Sequence, residues 1–95
     1  MASSYRFVVS GQVQGVGFRY TALAMAQRLG LSGWVGNRAD GAVEGLAAGA
    51  AEQLDAFRAW LTRGPPAARV DQLDWTESAE PAGTGFEIRQ VSSRA

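Results

Sequence analysis

Residues 31–48 read LSGWVGNRADGAVEGLAA, and this stretch decides the fold. Asp40-Gly41 within it is the strongest short-range indication of a β-hairpin, because tight hairpin turns need residues that tolerate positive φ. Leu31 to Asn37 and Ala42 to Ala48 flank this turn and are therefore predicted to pair as antiparallel strands. The remaining elements are found by moving outward from the hairpin.

A helix is predicted on each side of the hairpin, because apolar residues recur there at helical spacing and end at a glycine. On the amino-terminal side they are Phe18, Ala22, Met25 and Leu29, followed by Gly30. On the carboxyl-terminal side they are Ala50, Leu54, Phe57 and Leu61, followed by Gly64-Pro65-Pro66. The hairpin therefore lies between two amphipathic helices.

Strands complete the pattern at both ends of the chain. Tyr5 to Ser10 and Arg69 to Thr76 are predicted strands, and Phe86 to Val91 is predicted as an extra, shorter one. The order β-α-β-β-α-β is the split βαβ arrangement of ferredoxin-like α+β sandwiches. We expect an antiparallel sheet with both helices on one face, because right-handed crossovers place them on the same side. We also expect a single domain over residues 1–95.

Composition limits the possible functions. Nine basic and nine acidic residues balance, which argues against general nucleic-acid or membrane binding. The chain starts with Met1-Ala2-Ser3-Ser4 and has no long apolar run, so neither a signal peptide nor a membrane span is indicated. We therefore expect a cytoplasmic protein that acts on a small or locally charged ligand. A monomer is expected as well, although no sequence feature bears on it.

The sequence contains no cysteine and no histidine. Disulfides, thiolate nucleophiles and cysteine-based metal sites are excluded, and so are the usual general base and the commonest transition-metal ligand. We accordingly expect no metal and no cofactor. An enzyme with this composition must work by positioning and electrostatics.

A glycine-rich loop joins the first strand to the first helix. Its backbone N–H groups, together with the amino terminus of the helix, are suited to hold a tetrahedral anion. The N–H groups are those of Gln14, Gly15, Val16, Gly17 and Phe18. Arg19 follows in the first helical turn, where a cation opposes the helix dipole by about 0.3–1 kcal/mol. A bound phosphate would reverse that cost. The alternative is that the glycines only make a tight crossover and Arg19 extends into solvent.

Other sites that this fold or a glycine loop could form fit less well. The loop lacks the Gly-Lys-Ser/Thr ending of a P-loop and the Gly-x-Gly-x-x-Gly spacing of a dinucleotide site. RNA-recognition modules of the same fold need aromatics flanked by basic residues on the central strands, which this chain does not supply. The conspicuous aromatic residues are expected in the core or on the sheet, and they are Trp34, Trp60, Trp75, Phe7, Phe57 and Phe86.

Two segments carry a family resemblance. Gly11-Gln12-Val13-Gln14-Gly15-Val16-Gly17-Phe18-Arg19 closely resembles the acylphosphatase signature Gly-x-Val-Gln-Gly-Val-x-Phe-Arg. The stretch that ends Gly33-Trp34-Val35-Gly36-Asn37 resembles the family's second motif, Gly-x-Val-x-Asn, and Asp40 to Glu44 and Phe86 to Ile88 match as well. The resemblance implies a phosphate cradle through Arg19, a catalytic Asn37, an acyl phosphate substrate, and inorganic phosphate as product and inhibitor. A non-catalytic phosphate-binding or regulatory domain of the same fold is the alternative.

Asn37 has a purely local explanation too, because asparagine is favoured in turns and in left-handed conformations. The resemblance instead makes it the residue that orients the attacking water. Asp40 is most simply a turn residue and Glu44 a solvated strand residue, although Glu44 is near enough in sequence to support Asn37. Gln12 stands where the family commonly has arginine, and it is expected to change affinity only slightly.

Overall fold

The computed structural model describes residues 3–90, and its elements follow the predicted order. They are β1 (Ser3–Gln12), α1 (Phe18–Arg28), β2 (Ser32–Asn37), β3 (Val43–Gly49), α2 (Ala51–Leu61), β4 (Arg69–Ser78) and β5 (Phe86–Ile88). The ferredoxin-like βαββαβ arrangement with an extra carboxyl-terminal strand is thereby confirmed. No helix within these residues is long and apolar enough to cross a membrane.

The five strands form one sheet in the order β4-β1-β3-β2-β5. The four strands of the βαββαβ unit pair antiparallel, as expected. The extra strand differs, because β5 pairs with β2 in parallel and makes the sheet mixed. It ends at Ile88, and the predicted end at Val91 lies outside the described residues.

β1 is longer than the sequence predicts, because it does not stop before Gly11. The register of its pairing with β4 shifts between Ser10 and Gly11, and Gly11 then pairs with Val70. Gly11 has a φ of 131°, and a Cβ there would stand 2.2 Å from the carbonyl oxygen of Arg69. Only glycine allows this close approach, so Gly11 continues β1 opposite a bulge of β4, in which Asp71 is the residue left without a pairing partner.

The core lies between one face of the sheet and both helices. Phe7 of β1 packs edge-on against Phe57 of α2, with ring centroids 5.7 Å apart. The remaining fully buried larger side chains of this core cluster are Val9, Val13, Phe18, Val35, Val43 and Leu61. Because side chains alternate along a strand, these residues identify the face of the sheet that carries the helices.

The topology brings two chain connections to one end of the sheet. β1 and β2 both pair antiparallel with β3, so they run in the same direction and finish at the same end. Val43, near the start of β3, pairs with Val9 on one side and with Asn37 on the other. We call this the loop end of the sheet, since it carries both the β1–α1 loop and the β2–β3 turn.

Candidate active site

The β1–α1 loop at the loop end presents a run of unpaired backbone donors. Gly15 and Gly17 have φ values of 76° and 77°, which only glycine adopts easily, and Gly17 caps α1 without any side-chain hydrogen bond. Among residues 3–90, no amide from Gln14 to Tyr20 donates a hydrogen bond. The first helical amide that does is Thr21 N–H, to Gly17 O at 3.1 Å. This run of donors is available to an anion.

Arg19 lies at the second residue of α1, where no acidic side chain occupies the first turn. Its guanidinium lies 5.8 Å from the centre of the exposed Tyr20 ring. Within the described part of the chain it makes no hydrogen bond and no ion pair, whereas Arg6, Arg38, Arg69 and Arg89 are each bound to a carboxylate. The five donors of the Arg19 guanidinium are therefore not engaged by any acceptor among residues 3–90.

Gln14 connects this loop to the β2–β3 turn. Its side-chain amide donates to the carbonyl oxygens of Arg38 at 2.7 Å and Ala42 at 3.0 Å. Arg38 directly follows Asn37 in the chain, so the loop and the end of β2 are held next to each other. The sequence analysis predicted a contribution from the Gln14 backbone but none from its side chain. The one signal that could have suggested the side chain is its polarity, since Gln14 lies between Val13 and Val16.

Asn37 is the last residue of β2, and its side chain lies on the same sheet face as Val35, the face that carries the helices. Its Oδ1 is buried without a hydrogen-bond partner among residues 3–90. The side-chain amide makes no other hydrogen bond within that range. Buried polar atoms are normally paired, so Asn37 Oδ1 is an exception, which it shares among the described residues with Trp34 Nε1 and Arg38 Nε.

The turn itself is built by other residues, which separates the two explanations of Asn37. Asp40 Oδ1 accepts a hydrogen bond from the Ala42 amide at 3.1 Å, and Gly41 has a φ of 96°. Asp40 also pairs with Arg38 at 2.8 Å. Asn37 is not in a left-handed conformation and makes none of these contacts. The expectation that Asp40 is a turn residue is met, and the local explanation of Asn37 loses its basis.

Glu44 is not the solvated strand residue that the sequence suggested. It is 8% exposed, and its carboxylate lies 2.7 Å from the Arg6 guanidinium. Burial acts to lower the pKa of Arg6, but its hydrogen bonds to Glu80 and Glu44 outweigh this and raise the pKa. Glu44 lies on the face opposite Asn37, because Val43 shares the helix-bearing face with Asn37. It therefore balances a cation there and does not contact Asn37.

The start of α1 is fixed from behind by Phe18, which is 1% exposed. Its ring packs against Trp60 of α2 with centroids 5.3 Å apart. Gly64 follows α2 and has no side chain, so the Phe18 ring can occupy the space that a Cβ at Gly64 would need. Phe18 is thus both a member of the loop and the anchor that sets the position of Arg19.

Carboxylates do not gather near the loop. Within residues 3–90 no three Asp or Glu side chains lie close enough together to hold a metal ion. Asp40 is engaged by Arg38 and Glu44 by Arg6. The donors at the loop end are consequently amides and a guanidinium, which bind oxygen atoms of an anion and not a cation.

Comparisons with known proteins agree with this site. A sequence model of the acylphosphatase family matches residues 5–88. The chain is 49% identical over 81 residues to an acylphosphatase of Acaryochloris marina, covering 85% of this chain and 87% of that protein. The acylphosphatase structure from Bacillus subtilis superimposes with a TM-score of 0.86 at 42% identity, covering 94% and 99% of the two chains. That from Coxiella burnetii gives 0.89 at 36% identity, covering 93% of each.

The matched residues include both connections of the loop end, the glycine loop through Arg19 and the end of β2 at Asn37. Sequence, fold and the extent of the match therefore lead to one conclusion: this chain belongs to the acylphosphatase family.

Proposed function

We propose that the chain hydrolyses the carboxyl–phosphate bond of acyl phosphates by in-line attack of water. The loop from Gln14 to Arg19 holds the phosphate and Asn37 orients the water. One observation supports this above all others: the loop amides, the Arg19 guanidinium and the buried Asn37 Oδ1 all lack a hydrogen-bond partner within residues 3–90, and they belong to the two connections at the loop end.

The loop amides and Arg19 bind the transferred group. Phosphoryl transfer passes through a loose transition state in which charge is spread over the equatorial oxygens, so positioning and charge stabilisation are the main requirements. Backbone donors fixed by Gly15 and Gly17 cost no reorganisation when that charge develops. The planar guanidinium of Arg19 bonds two phosphate oxygens at once, which an ammonium group does not do.

Asn37 orients the nucleophile. Its amide is held at the end of β2, and in this proposal its oxygen accepts a hydrogen bond from the attacking water. Acceptance of this bond fixes the direction of the water lone pair relative to the departing carboxylate. This contribution comes from geometry and does not require a basic group.

The leaving group explains why no general acid is needed. A carboxylate departs as the conjugate base of an acid with a pKa of about 4, so it leaves without a proton at neutral pH. An alkoxide would need a proton donor. The absence of histidine and cysteine from the sequence therefore does not hinder this reaction.

The remaining expectations form part of the proposal. The substrate is a small acyl phosphate, and inorganic phosphate, the product, binds the same cradle and inhibits. We propose that the enzyme works as a cytoplasmic monomer without metal or cofactor. A domain that only bound anions would use the loop and Arg19 but would have no use for the unpaired Asn37 amide.

Hydrolysis of benzoyl phosphate, followed in the ultraviolet, tests the proposal directly. We expect saturable turnover that inorganic phosphate inhibits competitively and that Arg19→Ala abolishes. Arg28→Ala is the matched control, since it removes an exposed arginine from the other end of the same helix. Phosphate binding without any turnover in the folded wild-type protein would overturn the proposal and leave an anion-binding domain.

A further inference from the structure

We propose that the Gln14 side chain is a positioning residue that sets the separation between the phosphate cradle and Asn37. This inference rests on the proposed function, because it assigns Gln14 an effect on the water that Asn37 orients. It concerns the side chain alone, whereas the cradle uses the Gln14 backbone.

The two hydrogen bonds of the Gln14 side chain lie close to Asn37, one on each side of the β2–β3 turn. Nε2 donates to the carbonyl of Arg38, one residue after Asn37, and to the carbonyl of Ala42, one residue before its cross-strand partner Val43. A single amide group thus holds both strands at the mouth of the turn. Each of its two N–H bonds is used, so its orientation is fixed as well.

The turn does not depend on Gln14 to stay closed. The Arg38 amide donates to Ala42 O at 2.8 Å, and the Gly41 amide donates to Arg38 O at 3.3 Å. Asp40 adds its bond to the Ala42 amide. Both carbonyls that Gln14 contacts therefore keep a backbone partner when the side chain is removed. Loss of Gln14 frees the turn to shift relative to the loop without unfolding it.

Such a shift affects turnover more than binding. The phosphate is held by loop amides and Arg19, none of which bonds to the turn within residues 3–90. The attacking water depends on both parts, since it must lie between an atom held by the loop and an amide held by β2. A displacement of about 1 Å at a reacting centre lowers the rate on the order of 100-fold.

Gln14→Met tests this inference, because it keeps the length of the side chain and removes both donors. We expect kcat for benzoyl phosphate to fall about 10- to 100-fold, while the inhibition constant of inorganic phosphate changes by less than about threefold. Gln14→Glu should lower kcat at least as far, since its carboxylate would face two carbonyl oxygens. Gln12→Met is the control, as Gln12 is exposed and its side chain makes no hydrogen bond within residues 3–90; it should retain wild-type kcat.

Combination with Asn37→Ala separates this inference from the proposed function. If Gln14 acts through Asn37, then Gln14→Met costs little further kcat when Asn37 is already alanine, so the two effects are not additive. Additive effects, or wild-type kcat in folded Gln14→Met, would overturn the inference while Asn37 keeps its assignment. If Asn37→Ala alone retains wild-type kcat, the water-orienting role of Asn37 fails and this inference fails with it, whereas hydrolysis of the acyl phosphate stands.

Discussion

Phe18 and Gly64 lie so close together that a Cβ on Gly64 would stand 2.6 Å from Cε2 of the Phe18 ring. Gly64 has a φ of 69°, and it follows α2, whereas Phe18 begins α1. The end of one helix therefore supports the start of the other. Since Arg19 directly follows Phe18, a displaced ring would move the guanidinium of the site.

Gly64→Ala should consequently impair both stability and phosphate binding. A positive φ and a steric contact together should lower the free energy of unfolding by about 2–4 kcal/mol, and the inhibition constant of phosphate should rise. Denaturant unfolding and inhibition kinetics measure the two effects. Gly30→Ala is the control, because Gly30 has a similar φ of 71° after α1 but nothing within 4 Å of a Cβ. Equal losses in both variants would contradict a contribution from the Phe18 contact.

Replacement of Arg19 separates its geometry from its charge. Arg19→Lys keeps the cation but loses the planar fork, so phosphate inhibition should weaken and most activity should disappear. Arg28→Lys makes the same change at the end of α1, where we expect no effect on either quantity. Unchanged phosphate inhibition in Arg19→Lys would show that charge alone suffices at this position.

Asn37→Ala should separate binding from turnover. We expect kcat to fall by at least about 100-fold, equivalent to about 3 kcal/mol of transition-state stabilisation, while phosphate binds with similar affinity. Asn37→Asp should also weaken phosphate binding, because it places a negative charge beside the anion. Titration calorimetry with phosphate and benzoyl phosphate kinetics provide both measurements.

Asp40→Ala supplies the opposite pattern to Asn37→Ala. It removes the turn bond to Ala42 and the ion pair with Arg38, so it should cost about 1 kcal/mol of stability and leave kcat within a few-fold of wild type. Thermal unfolding of both variants makes the comparison. If Asn37→Ala instead lost stability and kept kcat, asparagine would be the turn residue after all.

Turnover should survive EDTA and gain nothing from added magnesium. The sequence has no histidine or cysteine, and residues 3–90 contain no cluster of carboxylates that could hold a cation. Benzoyl phosphate hydrolysis before and after chelation is the measurement. Activity that chelation abolished and a divalent ion restored would contradict the prediction.

Selectivity for the leaving group is a further test. Without a general acid, acyl phosphates should be hydrolysed far faster than alkyl phosphates such as glycerol phosphate. The kcat/KM values for the two classes provide the comparison. Comparable values would mean that a proton donor exists, and Glu44 would not be the first choice because Arg6 already binds it.

The predicted fold followed from local chemistry that the structure preserves. Asp40-Gly41 forms the turn, and the helical spacing of Leu54, Phe57 and Leu61 buries all three residues in the core. The parallel pairing of β5 was not predictable in this way, because three residues at an edge carry no local indication of direction. The prediction that Gly11 ends β1 is wrong for a similar reason: the bulge opposite Gly11 lies on the partner strand, which the sequence does not identify.

The candidate site was predictable where it relies on backbone and motif, and less so where it relies on tertiary contact. The order of Gly15, Gly17 and Arg19 along the chain is enough to predict an anion site. The side-chain bonds of Gln14 join residues 24 and 28 positions apart, a separation that no local pattern encodes. The prediction of a solvated Glu44 is wrong because its partner Arg6 lies 38 positions away in the chain, on a strand that only folding brings alongside.

The parallel pairing of β5 has a consequence for association between chains. β2 contains the buried residues Trp34, Val35 and Gly36, and without β5 its outer hydrogen-bonding groups would face solvent as an apolar edge. Such an edge is a template for strand addition and aggregation. Gly85 O and the Arg89 amide occupy it through bonds to Gly33 and Val35, each 2.9 Å long. β5 thus pairs with the outer edge of β2, the strand that ends in Asn37, and leaves no free edge there for a strand of a second copy.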